Sequence, residues 1–403
     1  MEDEMHVIAD TSALVEDGII SHEAATEMQA RGREAMVSMA INVILFVGIL
    51  FATFGLIFWL ANAVSVAICG AVLLAGGLFI LARTSAIYQM LGNAAALIGA
   101  GMLIAGSAIE LVENYDAIAG WVMLAGGVLI TTIAFGRFLV GGLTTGFVQG
   151  SIGLMGVALH LAGLAILIMD YNLAGLWPPL MFLYATAALI GSGWLLDVRL
   201  VTALAIVPFA QVLDTGTLYF HAAYVFASPE PTLSLIQMAL AVTAALWIAA
   251  FYNERTGRHA QIFATLAFIT GNLCALVGSL WGDWIGETIW GVGSRNEYAS
   301  WNDLEAARDA FQNGAIFISP NVFSVLWALA LVAVITLAAK RSNRALFNAG
   351  VTFASIHAYT RMFETFADES LAFVIGGFGA VALAWVVWRL NTDWLKPTEG
   401  ISS

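Results

Sequence analysis

The sequence predicts an all-α integral membrane protein: a polytopic bundle of about twelve transmembrane helices with both termini in the cytoplasm. Three observations predict it. Of 403 residues, 60% are hydrophobic and only 11% charged, where soluble domains carry about a quarter charged. The apolar residues fall in runs of about 20, the length that crosses a bilayer core as a helix. The basic residues gather at alternate ends of successive runs, as the positive-inside rule requires.

The runs lie at 38–60, 63–82, 88–109, 117–136, 142–168, 174–196, 200–226, 232–252, 260–282, 315–338, 345–367 and 370–390. They are too long and too closely spaced for barrel strands and lack their alternation. The organisation follows: a cytosolic N-terminal helical hairpin over 1–37, helices one to nine over 38–282, an external loop over 283–314, helices ten to twelve over 315–390, and a cytosolic tail over 391–403.

With the N-terminus inside, the inner segments carry Arg31, Arg33, Arg83, Arg137, Arg199, Arg255, Arg258, Lys340, Arg341, Arg344, Arg389 and Lys396, twelve of the fifteen basic residues. The outer segments hold Arg295, Arg308 and, near a helix end, Arg361, and are otherwise acidic: Glu110, Glu113, Asp116, Asp170, Glu230, Asp368 and Glu369. The acidic start MEDEM is unlike a signal peptide. The net charge of −13 argues against a nucleic-acid partner. Cys69 and Cys274 lie inside apolar runs and read as small buried hydrophobes.

Within the spans, Pro178, Pro179 and Pro320 fall near helix starts, where proline costs least. Pro208 predicts a kink in the seventh. Gly142, Gly146, Gly150, Gly153 and Gly156 give the fifth a close-packing face for another helix of the chain. Outside the spans, Ser12 to Asp17 predicts a short helix stopped by Gly18, and Ser21 caps a second. The external loop carries Trp284, Trp290, Tyr298 and Trp301. There "WNDLEAARDAF" predicts a surface helix that starts at Asn302 or Asp303 and turns Leu304, Ala307 and Phe311 to one side.

The eleventh span poses the functional question. At about 100° per residue, His357, Arg361 and Glu364 share one stripe, and Asn348, Thr352, Ser355 and Tyr359 lie almost opposite. A lipid-facing helix would not be polar on two sides, so this helix is expected to be central. In the seventh span Asp214, Thr217, His221 and Tyr224 form another helical stripe, and His160 lies about two turns below the outer end of the fifth. Asp214, His221, His357, Arg361, Glu364 and His160 thus make a candidate polar site in the outer half, with Asp214 expected to pair with Arg361. An ion pair that only fixes the fold is the competing reading, and His160 reads first as a packing residue. HExxH, GxSxG, P-loop and CxxC patterns are absent. Metal, cofactor and hydrolase chemistry therefore have no support.

Two segments resemble a bacterial family of membrane proteins grouped as domain of unknown function 2157. These are "LVEDGIISHEAATEM" at 14–28 and the closing "FNAGVTFASIHAYTRMFETF" with "FVIGGFGAVALAWVVWRLN". In that family an Arg followed by an aromatic precedes a Gly-rich last helix, matched here by Arg361, Phe363, Gly376 and Gly377, with Met362 intervening. The resemblance implies a membrane bundle in a bacterial inner membrane and transfers no activity. Three functions stay open: a carrier with an outward-facing site, a scaffold or accessory subunit docking a membrane partner, and an embedded enzyme. The lipid bilayer is the one partner common to all three.

Overall fold

A computed structural model describes residues 11–16, 18–30, 55, 62–83, 89–141, 146–220, 223–292, 300–341, 343–366 and 370–393. The expected first span at 38–60 apart from Gly55, His221, Tyr298 and most of the tail lie outside the described residues. Among the described residues, eight helices are long and apolar enough to cross a membrane, and the chain is an integral membrane protein of the helical-bundle class. It divides into two compact units, Met1–Leu167 and Ile168–Ser403.

The first unit opens with α1, Thr11–Glu16. It ends at Gly18, whose φ of +68° is left-handed and costs glycine least. Ser21 Oγ then accepts the Ala24 N–H at 3.1 Å and starts α2, residues 22–30. Gln29 Nε2 donates to Thr11 Oγ1 at 2.9 Å and closes the hairpin. Four long helices follow: α3 Ala63–Arg83, α4 Gln89–Asn114, α5 Asp116–Val140 and α6 Gly146–Asp170.

These helices pair by small residues. A Cβ on Gly70 would lie 2.4 Å from the Leu103 nitrogen, and one on Gly99 would lie 2.2 Å from the Leu74 nitrogen, so α3 and α4 meet backbone to backbone. On α5 and α6, Gly127 faces the His160 nitrogen at 2.3 Å and Gly163 the Leu124 nitrogen at 2.4 Å. Of the glycines expected on the packing face of the fifth span, Gly153 meets the Phe135 ring and Gly156 meets Thr131, both of α5, so that face packs within the chain, as small residues allow in lipid. Gly142 lies outside the described residues.

In the second unit α7, Trp177–Leu196, starts with two prolines in its first turn and leads to a departure from the expected seventh span. Residues 200–226 are not one helix. They form α8 Arg199–Leu204, α9 Ile206–Gln211 and a hairpin of β1 Gly216–Phe220 with β2 Ala223–Ala227. Pro208 has no N–H for the Leu204 carbonyl and crowds it, so the helix breaks beside Leu204. Asp214 then takes a φ of +53°. The β-branched and aromatic residues beyond pair as strands, with Tyr219 opposite Tyr224. The helical stripe of Asp214, Thr217, His221 and Tyr224 therefore does not form.

The chain nevertheless passes from one end of the unit to the other. Thr202 meets His259 early in α11, and the Phe209 ring lies 5.5 Å from that of Phe263. Thr215 joins Ser228 and Ser234 beside the start of α10, in a triangle of buried hydroxyls at 2.7–3.1 Å.

The core is built on α10 Pro231–Phe251 and α11 Glu254–Trp281. Met238, Ala241 and Ala245 pack on Ala260, Phe263, Ala264 and Ala267, with Ala205 and Ala210 completing the cluster. On the far side of α11, Ala275 meets Trp327 and Leu331 of α14, Pro320–Lys340, and Phe353 of α15, Arg344–Thr365. The central helix is therefore α11, not the eleventh span. In α15 only Phe347, Gly350 and Phe353 are buried. Its opposite polar stripe is satisfied locally: Thr352 and Ser355 donate to carbonyls of their own helix, and Tyr359 to the Gly376 carbonyl of α16, Ser370–Asp393. Hydroxyls paired this way do not force a helix inside.

Candidate functional site

Four short elements close the end of the second unit at which α10 begins. They are β3 Asp283–Trp284, α12 Glu287–Trp290, α13 Trp301–Gly314 and β4 Phe317–Ile318. The two strands pair antiparallel, Asp283 with Ile318 and Trp284 with Phe317, and the rings of the second pair lie 4.5 Å apart. Gly282, with φ +75°, makes the turn into β3, where a side chain would strike Phe317. Ser300 caps α13 by accepting the Asp303 N–H at 3.2 Å, two to three residues before the expected start. Leu304, Ala307 and Phe311 are its half-buried side.

Two carboxylates lock these elements to α10. Glu230, 4% exposed, accepts the N–H groups of Gly286 at 2.8 Å and Thr288 at 3.0 Å. These are orphan donors at the start of α12. Asp283, 2% exposed, accepts the Thr232 N–H at 2.8 Å through Oδ2, an orphan donor at the start of α10. The other Asp283 oxygen, Oδ1, is buried without a hydrogen-bond partner, as are the hydroxyls of Thr232 and Thr288. Burial, with the Glu230 charge alongside, raises the Asp283 carboxyl above its ordinary value. Burial also raises Glu287, against the pull of Arg308.

Asp283 lines a cavity of about 490 Å³. Its walls include Val225, Phe226 and Ala227 of β2, Val277 and Trp281 of α11, and Trp284; Ser228, Glu287, Arg308 and Gln312 add polar groups. The volume lies in the range of small-molecule sites, about 300–1,000 Å³, and the mixture of apolar walls with a few convergent polar groups is typical of them.

The six residues expected to form the site are distributed otherwise. Arg361 donates to Glu364 at 2.6 Å and to Asn321 at 2.5 Å. Asp214 does not pair with it. The turn that holds Asp214 lies beside α9, on the other flank of α11 from α14 and α15. The His357 ring packs edge-on to Trp327 at 4.7 Å, its Nδ1 buried and unpartnered. His160, in the first unit, has Nδ1 3.1 Å from the Leu124 carbonyl. His221 is outside the described residues. Asp214, Arg361 and Glu364 do share the end of the unit that carries the cavity, since Asn321 follows β4 directly and Thr215 meets Ser234.

At the opposite end of the unit Asp197, His259 and Thr202 form a second polar assembly. Asp197 caps α7 with a left-handed φ of +56°. Its Oδ1 lies 3.1 Å from His259 Nε2, whose ring partner Nδ1 lies 2.6 Å from Thr202 Oγ1. With the proton on Nε2, the imidazole donates to the carboxylate and accepts from the hydroxyl. Arg255 and Arg258 flank Asp197 at 3.7 and 3.4 Å. Arg255 also donates to the Trp194 and Leu195 carbonyls at the end of α7. The His259 hydrogen bond and the two arginines hold Asp197 below its ordinary value. Both histidine nitrogens are engaged, so the assembly ties the α7–α8 turn to α11 and leaves no free base. Thr202 and His259 line a second cavity of about 490 Å³ whose other walls are mostly apolar, with Ile190, Phe209, Leu240 and Phe263 among them.

Neither assembly was foreseen from the sequence. Their partners lie far apart along the chain, and only the acidic, aromatic character of the 283–313 segment pointed to the first. Comparison with protein-family models, curated proteins and solved structures finds no match to this chain. The class defined by fold and site is an integral membrane helix bundle with a carboxylate-lined cavity at one end.

Proposed function

We propose that this chain is a carrier-like membrane protein whose solute site is the Asp283 cavity, open to the outside. The single observation behind this reading is the cavity itself, which brings the buried Asp283 together with Glu287, Arg308 and Gln312 between apolar and aromatic walls. Apolar walls with a few convergent polar groups are the usual lining of a solute site. The interrupted α8–α9 helix supports the same reading. Irregular backbone at membrane depth is tolerated where it lines a cavity, and Thr202 and Phe209 line the second one. The charge pattern supports the direction: twelve spans with both termini inside put Arg199, Arg255 and Arg258 in the cytoplasm and the 283–314 loop outside. The resemblance to the bacterial family adds a bundle with a similar closing helix pair and an inner-membrane location.

The test is sidedness of labelling. Cys69 and Cys274 are replaced by Ala, and Gln312→Cys, in the cavity wall, is compared with Gln261→Cys, in the first turns of α11. Intact cells are treated with a membrane-impermeant thiol reagent. Labelling at 312 and not at 261 is the expected result. A folded protein that stays unlabelled at 312 contradicts the reading and favours a sealed scaffold.

A further inference from the structure

From the walls of the second cavity we infer a discrete lipid site: an anionic phospholipid lays one acyl chain along α10 and sets its phosphate at the Arg255 end. The inference stands apart from the solute-site reading. It uses only the membrane-bundle class and the groove itself.

The groove comes first. Beside the break between α8 and α9, residues of α7, α10 and α11 leave a furrow. Its α10 wall runs from Gln237 to Ile248, roughly 16 Å of helix. Ile248 lies three residues before the end of α10 at Phe251, so the furrow starts at the helix end and reaches inward. Half of a bilayer core is about 15 Å, so its length is that of one leaflet's hydrocarbon. It opens sideways: Leu240 is 66% and Trp194 42% exposed, both on helices long and apolar enough to cross a membrane.

The lining selects a hydrocarbon chain. The polar groups in the walls already bond to the protein. Thr202 is bonded to His259, Thr256 accepts the Trp194 indole N–H at 3.1 Å, and Gln237 Nε2 donates to the Phe209 carbonyl at 2.6 Å. Ile190, Leu240, Ala244, Ile248 and Phe263 supply carbon surface. A methylene chain is favoured on such walls, and a polar solute finds little to hold.

The end of the furrow selects the head. The Arg255 guanidinium lies 5.0 Å from the centre of the Trp194 ring, and Trp247 packs on Phe251 and Tyr252. Aromatic residues of this kind sit at headgroup level. Gly278 of α11 meets Phe323 of α14, so α14 runs back and ends beside the start of α11. Among the described residues of α7 to α11, α14 and α15, this end carries Arg199, Arg255, Arg258, Lys340, Arg341 and Arg344 against Asp197 and Glu254. The two acids pair with Arg255 and Arg258. Arg199 takes no part in those pairs and is exposed. The excess of positive charge at the membrane edge favours an anionic head.

The experiment uses the full chain purified in a neutral detergent. Palmitoyl-oleoyl phosphatidylglycerol and palmitoyl-oleoyl phosphatidylcholine share their acyl chains and differ in head charge. Each is titrated while the thermal unfolding midpoint is read. Phosphatidylglycerol is expected to raise the midpoint saturably by a few degrees, and phosphatidylcholine by less than half as much. Two variants block the furrow from exposed positions on its rim, Ala244→Trp and Leu240→Trp. Both are expected to lose most of the shift. Leu326→Trp, 60% exposed on α14 and outside the furrow, is expected to keep it. Size-exclusion profiles verify folding, and either blocking variant suffices. No saturable shift, equal shifts from the two lipids, or an undiminished shift in a folded blocking variant overturns the inference; the last outcome means generic lipid around the bundle only. The titration is independent of sidedness, so labelling at 312 bears on the solute-site reading alone.

Discussion

Glu230 and Asp283 are crossed carboxylates: each satisfies backbone donors on the segment that carries the other. Glu230, one residue before α10, accepts N–H groups of Gly286 and Thr288, just beyond Asp283. Asp283 accepts the N–H of Thr232, just beyond Glu230. The clasp closes two helix N-termini with two side chains and fixes β3 over the end of α10. Negative charge is favourable at both positions, because a helix N-terminus presents unpaired donors and a positive dipole end.

Removing one half of the clasp leaves buried donors unpaired. Glu230→Ala is expected to lower stability by about 1–3 kcal/mol. Glu230→Gln retains one acceptor oxygen and is expected to cost less. Thermal unfolding in detergent reads both. Equal midpoints for wild type and Glu230→Ala would show that the clasp contributes nothing.

The raised Asp283 carboxyl sets a pH dependence. Above 3.8, its ordinary value, the unfolded chain has released this proton while the folded chain still holds it. Stability from this group is complete below 3.8 and is lost as pH rises through the folded value. Asp283→Asn cannot titrate, so the difference between wild-type and variant midpoints is expected to change in favour of the variant as pH rises from about 4 to about 7. Asp197 is held below 3.8, so its contribution is lost only at lower pH, outside this window. A wild-type midpoint that gains on the variant with rising pH reverses the assigned sign.

Arg361 is tied to Glu364 and Asn321, not to Asp214. A double-mutant cycle with Asp214→Asn and Arg361→Gln is expected to give coupling near zero. A cycle with Glu364→Gln and Arg361→Gln is expected to give about 0.2–1 kcal/mol, the range for partly exposed pairs. Coupling of Asp214 larger than that of Glu364 would restore the pair expected from the sequence.

Close approach of α5 and α6 requires glycine. Gly163→Ala places a Cβ 2.4 Å from the Leu124 nitrogen, whereas a Cβ on Gly136 has nothing within 4 Å. Gly163→Ala is expected to destabilise by about 1–3 kcal/mol through overpacking, and Gly136→Ala to be neutral or stabilising. Similar unfolding midpoints for the two variants would place the helix contact elsewhere.

Much of the fold is written in local sequence. Runs of apolar residues with a proline in the first turn give helices that start at the proline, as at Pro320 of α14, five residues past the expected start at 315. Ser21 and Gly18 mark the turn of the N-terminal hairpin through local capping. The seventh run misleads because its composition is as apolar as a span. The break beside Leu204 comes from Pro208 and the strand pairing beyond from Tyr219 and Tyr224, neither of which a hydropathy count registers. The polar stripe of α15 misleads in the opposite sense, since Thr352 and Ser355 are satisfied by their own helix. The cavity was legible only as an acidic, aromatic segment. Thr232 and Asp283 lie 51 positions apart, and no local spacing announces that they touch.

The most direct measurement places a single Cys at position 312, in the cavity wall, in a chain lacking Cys69 and Cys274. Two membrane-impermeant thiol reagents of equal size, one positively and one negatively charged, are applied to intact cells. The account predicts that both reach position 312 from outside. No reaction of either reagent in a folded protein would contradict an outward-facing site.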